Sequence, residues 1–103
     1  MRKNLESTIV LSASDDVSSE AVQKDERHCL AAEVDISNGD ICLKFSSRLA
    51  MYDFAKSLLQ EAVFGQGGQQ EFRPLIVEGK ALVSNGVRMT DNSSRIFVFY
   101  PDE

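Results

Sequence analysis

His28 is the only histidine in the chain, Cys29 follows it directly, and Cys42 is the second and last cysteine. Any reaction that needs an imidazole must therefore use His28. A Cys–His nucleophile pair requires both side chains within hydrogen-bond reach. Residues adjacent on a strand point to opposite faces, so His28 is expected as a solvent-facing residue at a strand start. A structural zinc site takes about four convergent ligands, which one His and two separated Cys do not supply. Within a hairpin that joins them, Cys29 and Cys42 lie much further apart than the ~7 Å between Cα atoms that a disulfide tolerates. Two reduced thiols and no metal are expected.

Two carboxylate pairs, Asp15-Asp16 and Asp25-Glu26, have the composition for acid–base work. That work needs a pocket that shifts a pKa, and the residues around them are polar, so solvated acids are expected. Gly65-Gln66-Gly67-Gly68 resembles a phosphate loop in composition only. Such loops precede a helix and use its N-terminal N–H groups, whereas these glycines follow one. The expectation is no catalytic residue, no cofactor and no enzymatic activity, with a site assembled from distant residues as the enzymatic alternative.

These residues sit in a chain of 103, with 43% hydrophobic and 26% charged residues. That is one ordinary globular domain, 1–103. Its net charge of −5 is unevenly placed. Residues 1–40 carry nine acids (Glu6, Asp15, Asp16, Glu20, Asp25, Glu26, Glu33, Asp35, Asp40) against four bases (Arg2, Lys3, Lys24, Arg27), and the remainder carries seven of each. The stretch 14–27 is the densest part and is expected as a long acidic loop with one helical turn around Glu20–Lys24. Glu6 interrupts the signal-like N-terminus, the apolar run Ile9-Val10-Leu11 is too short for a signal peptide, and no window is long enough for a membrane helix. A chain beginning near Met1, in the cytoplasm and away from membranes, is expected.

The elements that must position these residues are read from periodicity. Ser7–Ala13 has the β-branched content of a strand. Asn38-Gly39, between two alternating runs, predicts a two-residue type I′ hairpin. Its register sets Ile36 against Ile41, Val34 against Leu43 and Ala32 against Phe45. The wet face then holds Glu33 opposite Lys44 and Asp35 opposite Cys42. Ser46 or Ser47 caps a helix over 47–64, with Met51, Phe54, Ala55, Leu58, Leu59 and Ala62 as its apolar stripe. Asp53, Lys56, Ser57 and Gln60 fall on the opposite face, and Gly65 stops the helix. Strands follow at Phe72–Glu78, Lys80–Ser84, Val87–Thr90 and Arg95–Tyr100, with hairpin signals at Glu78-Gly79 and Asn85-Gly86. The fold class is α+β, one amphipathic helix on one face of a mostly antiparallel four- to six-stranded sheet in ββαβββ-like order. The expected core is Leu30, Val34, Ile36, Ile41, Leu43, Phe45, Met51, Phe54, Leu58, Leu59, Ile96 and Val98.

The last strand is apolar on both faces, and one helix covers only one of them. Phe97 and Phe99 therefore either pack beneath a loop or form an exposed patch, which monomers seldom leave open. The expectation is a small acidic protein-binding module. Asp15, Asp16, Glu20, Asp25 and Glu26 attract a basic protein partner, and Phe97 and Phe99 hold it or a second copy in a homodimer. Immunity and antitoxin proteins work in this mode, an analogy of size and charge alone. The alternative is a single-strand nucleic-acid binder with Phe97 and Phe99 as stacking platforms and Arg73, Lys80, Arg88 and Arg95 on phosphates. The acidic balance disfavours it.

Overall fold

The computed structural model describes residues 5–13 and 16–101; Asp15 of the expected partner surface lies outside them. The elements are α1 (Glu20–Lys24), β1 (Leu30–Val34), β2 (Ile41–Phe45), α2 (Arg48–Phe64), β3 (Gln69–Phe72), β4 (Leu75–Val77), β5 (Lys80–Ser84), β6 (Val87–Arg88) and β7 (Ile96–Phe99). This is the α+β architecture expected, one main helix with antiparallel strands. The strands pair in three small groups, β1-β2, β3-β7 and β4-β5-β6. The second edge of β1 is met by residues 89–94. Met89 bridges Leu30 in parallel, Thr90 N–H donates to the Leu30 carbonyl and Ser94 N–H to that of Ala32. Ala32 N–H donates to the Ser93 hydroxyl at 3.1 Å, so a serine side chain stands in for a missing strand partner.

The core is built where these groups meet α2. Leu30, Ala32, Phe54, Phe72, Val87 and Met89 are buried together, with Phe45, Leu58, Ile96 and Val98 packed against them. Phe54 joins the sheets through Phe45 and Phe72, at ring-centroid distances of 5.5 and 4.6 Å. Ser47 starts α2 by accepting from the Ala50 N–H at 3.1 Å. Gly65 ends it in an extended conformation, its N–H donating to the Glu61 carbonyl. The buried face of α2 is Ala50, Asp53, Phe54 and Ser57. The expected stripe is thus rotated: Met51 and Leu59 are exposed, while Asp53 and Ser57 face inward. The cause is polar. Asp53 Oδ2 accepts the Ser19 N–H at 2.7 Å, and Ser57 Oγ accepts from Gln70 Nε2 at 3.0 Å.

The β1–β2 hairpin also departs from expectation. Its partners are Val34 with Ile41, Ala32 with Leu43 and Leu30 with Phe45, two residues away from the type I′ register. Asp35 is responsible. Its Oδ1 accepts the Ser37 N–H and O–H at 3.0 and 2.6 Å, and its carbonyl accepts the Asn38 and Gly39 N–H groups. An Asx turn of this kind winds the chain into a helical turn, and only Gly39, not Asn38, has positive φ. The connection therefore spans Ile36–Gly39. A two-residue shift preserves which face each side chain occupies, but it lifts the tip away from the core. Ile36 is 97% exposed, and Val34, Ile41 and Leu43 are exposed as well. Cys42 now lies opposite Glu33 instead of beside Asp35.

Two further expectations change. Residues 7–13 form no strand; side chains of α2 meet that backbone instead, Tyr52 O–H donating to the Glu6 carbonyl and Gln60 Nε2 to that of Ser12, both at 2.6 Å. The single strand read over Phe72–Glu78 is split into β3 and β4 at Arg73-Pro74, because Pro74 has no N–H for a ladder. The turns at Glu78-Gly79 and Asn85-Gly86 do take positive φ at both central residues, from 52° to 83°.

Candidate functional site

The acidic stretch is an anchored surface, held at both ends of α1. At its start, Ser19 Oγ accepts the Val22 N–H while the buried Asp53 accepts the Ser19 N–H. At its end, the buried Arg88 donates to the carbonyls of Val22, Gln23, Asp25 and His28 at 2.8–3.2 Å, and to that of Ala81 at 3.1 Å. The carbonyls of Val22 and Gln23 are among those that the C-terminus of α1 leaves unpaired, and the fork of a guanidinium suits several acceptors at once.

The acids on this surface are not equally available. Glu20 pairs with Lys24. Asp25 receives Arg27 through both its oxygens, from Nε at 3.0 Å and Nη2 at 2.8 Å. That guanidinium and the Arg27 backbone N–H hold the Asp25 carboxyl well below the ordinary carboxylate range. Asp16 accepts from the Ser18 N–H and from Gln23. Among the described residues, Asp16 and Glu26 are the members of the run with no basic partner. The sequence pattern therefore overstated the free negative charge of α1.

His28 sits in a row that sequence spacing did not reveal. Its Nδ1 lies 2.6 Å from Ser47 Oγ and its Nε2 lies 3.7 Å from Asp25 Oδ2. The residue types are those of a hydrolytic triad, but their engagements are structural. Ser47 Oγ already caps α2, the Asp25 carboxylate is held by Arg27, and none of the three is among the described residues that line the cavities of about 490 and 380 Å³. The row ties the acidic surface to the start of α2. Both cysteines are free, and among the described residues no group of three or more His, Cys, Asp or Glu is arranged to hold a metal ion.

Phe97 and Phe99 lie on the outer face of β7, away from Ile96 and Val98. They are 45% and 71% exposed, with rings stacked at 6.4 Å and 14°. The Arg95 guanidinium lies 5.7 Å from the Phe97 ring, and its Nε is 3.0 Å from Glu71 on the paired strand. Two of the four bases that the nucleic-acid alternative requires are thus engaged elsewhere, Arg88 inside the fold and Arg95 on Glu71.

A third feature escaped sequence reading. A cavity of about 490 Å³ opens between Ala13, Asp16 and Val17, the second half of α2 and the β5–β6 turn, with Asp16, Ser57, Glu61, Gln70, Asn85 and Gly86 on its wall. Glycines make this geometry possible. A Cβ on Gly86 would come within 2.8 Å of Val17 Cγ2 and 3.0 Å of the Asp53 carbonyl, and one on Gly65 would overlap the Glu61 carboxylate. Tyr100 O–H donates to Glu61 Oε2, which fixes the carboxylate and pushes the phenol pKa up. The wall residues come from four separate parts of the chain, so no spacing could announce them.

Scans against protein-family models, curated proteins and solved structures find no match to this chain.

Proposed function

We propose that the protein is a small cytoplasmic protein-binding module for a basic partner, using the acidic surface of residues 16–26 for encounter and the Phe97–Phe99 pair for grip. The observation that carries this reading is Arg88. A loop whose only task is solubility has no need of a buried guanidinium on five carbonyls, whereas a recognition surface gains from being held in one shape before it binds. The exposed aromatic pair adds area of the kind that dominates dissociation, while charge acts mainly on the association rate. No helix among the described residues is long and apolar enough to cross a membrane, in keeping with a protein partner rather than a bilayer.

Inhibition of that partner, in the manner of immunity and antitoxin proteins, is the biological role this mode suits. The test is photocrosslinking from position 99 in source cells, followed by kinetics with the protein captured. Replacing Asp15, Asp16, Glu20, Asp25 and Glu26 with their amides should slow association severalfold at low salt and leave dissociation nearly unchanged. Phe97→Ala should do the reverse. Capture of only a second copy of this chain, or association that ignores the five acids, would overturn the basic-partner reading.

A further inference from the structure

We infer that the open edge of β2 is a self-association surface, on which a second copy of this chain pairs its own β2 antiparallel about Leu43. The inference goes beyond the partner reading above and uses neither the acidic surface nor Phe97 and Phe99.

Strand β2 has a neighbouring strand on one side only, β1. The direction of its backbone groups follows from the bonds that bracket it. Asp35 N–H donates to the Asp40 carbonyl, and Ser46 N–H to that of Cys29. Residues 40 and 46 therefore turn their backbone groups toward β1. Those groups alternate along a strand, so Cys42 and Lys44 do the same, and Ile41, Leu43 and Phe45 present theirs to the outer edge. Strand β1 agrees, because the carbonyls of Leu30 and Ala32 point the other way, to the N–H groups of Thr90 and Ser94. The N–H and C=O groups of Ile41, Leu43 and Phe45 thus stand in a row with no partner among the described residues.

An open edge is a template for another strand, and folded proteins guard it with a charge, a proline or a bulge. The edge residues here are apolar, and Ile41 and Leu43 are 75% and 40% exposed. Lys44 is the one charge within β2, and it is turned to the other face and held by Glu33 at 2.8 Å.

The strand is complementary to itself. A two-fold axis at Leu43 sets Leu43 against Leu43 of the second copy and Ile41 against its Phe45, the same patch on both sides of the contact. Each is a pair of outward-facing residues, which in an antiparallel ladder exchange both N–H···O=C bonds. Every free N–H of the two rows therefore meets a free carbonyl. On the other face Lys44 falls opposite Cys42 and Asp40 opposite Ser46, so no like charges are directly opposed. The same axis carries the turn bearing Asp35 and Asp40 toward the start of α2 in the second copy. Arg48 opens that helix and enters no ion pair among the described residues, and a carboxylate is favoured at a helix N-terminus as well. An unrelated extended peptide would satisfy the backbone row but not this match of charge.

The test combines sedimentation equilibrium with amide hydrogen exchange on the full chain, dilute and concentrated. The dimer share should grow with concentration. Exchange at Ile41, Leu43 and Phe45 should be fast in dilute samples and slow severalfold in concentrated ones, while Cys42 and Lys44 stay protected in both. That alternation is the signature of strand pairing, which packing of a face would not produce. Leu43→Pro removes an outward N–H and is tolerated at such an edge, and it should abolish the dimer. Ile41→Lys places a charge on the edge and should weaken the dimer roughly tenfold; it decides the matter if the urea midpoint shows the proline variant unfolded. A chain still monomeric at ~1 mM, or a dimer that withstands Ile41→Lys, would overturn the β2 edge. So would slowed exchange at Phe97 and Phe99 in a dimer that Phe97→Ala dissolves.

Discussion

The stretch from Asp16 to His28 and the tip of the β1–β2 hairpin exchange the roles that their compositions suggest. The first is acidic and serine-rich, yet polar side chains from elsewhere bind it to the body. The second carries Val34, Ile36, Ile41 and Leu43, yet stands in solvent. Composition suggests a loose loop for the first and a buried ladder for the second; tertiary partners tie down the first, and local bonds lift the second into solvent. Asp53 and Arg88 reach the acidic stretch from α2 and β6, and their hydrogen bonds decide its position. At the hairpin, the local bonds of Asp35 decide the register before any core contact can.

Removing the clamp should have the largest effect. Arg88→Met keeps much of the side-chain length but leaves the carbonyls of Val22 and Gln23 without the guanidinium donor, while that of Asp25 keeps the His28 N–H. Buried groups left unpaired cost ~1–3 kcal/mol each, with some regained through water, so a loss of about 3–5 kcal/mol is expected in urea unfolding. Amide exchange should rise across residues 16–28 and stay low in Leu30 and Phe72. Arg88→Lys should lie between, because an ammonium has too few donors to meet five carbonyls. Unchanged protection over 16–28 would show that the stretch is held by something other than this guanidinium.

How much was legible follows from the range over which each signal acts. Helix α2, its serine cap and the pair of type I′ turns at 78–79 and 85–86 depend on neighbours in sequence, and they were readable. Asn38-Gly39 carries the same dipeptide as Asn85-Gly86, but Asp35 and Ser37 stand just before it and outcompete the turn. That competition is local and could have been weighed. The rotation of α2 could not, since Asp53 is drawn inward by Ser19, 34 residues away. The cavity is assembled from Asp16, α2, Gln70 and the 85–86 turn, and nothing in the spacing of these residues connects them. Phe97 and Phe99 were legible as an anomaly because two-sided apolarity on a strand is visible without knowing what covers it.

The glycines sharpen the contrast at a smaller scale. Gly39 and Gly86 both have φ near 80°, which costs about 1 kcal/mol for any residue with a Cβ. Gly39 has nothing within 4 Å of an added Cβ, whereas at Gly86 such an atom meets Val17, the Asp53 carbonyl and Ser57. Gly39→Ala should therefore lose about 1 kcal/mol, and Gly86→Ala about 2–3 kcal/mol with a perturbed acidic stretch. Equal losses would mean that residue 17 does not rest on this turn.

A pH series probes the same surface more gently. The folded-state pKa of Asp25 is depressed, chiefly by Arg27. A depressed carboxyl adds stability above its unfolded pKa, near ~3.9, and that contribution fades as pH falls through the folded value. The Asp25 side chain is about one-third exposed (32%), so its share is small and screened by salt. Asp25→Asn should flatten the acid limb of stability slightly at low salt and have no effect at neutral pH in high salt. An acid limb unaltered by the variant would assign the dependence to other carboxyls.

The smallest change is expected at the hairpin tip. Ile36 belonged to the core in the alternating pattern, and a core isoleucine replaced by a small residue costs roughly 2–5 kcal/mol. With the side chain 97% exposed, Ile36→Ser removes almost no buried area and leaves the bonds of Asp35 in place. The urea midpoint should then move by the equivalent of less than about 0.5 kcal/mol. Serine is also less prone than isoleucine to self-association through an exposed apolar tip, so light scattering of concentrated samples should stay equal or fall. A loss above about 1 kcal/mol would mean that Ile36 is covered in solution. If that loss depended on protein concentration, a second copy would be covering it, and the tip would become an interface.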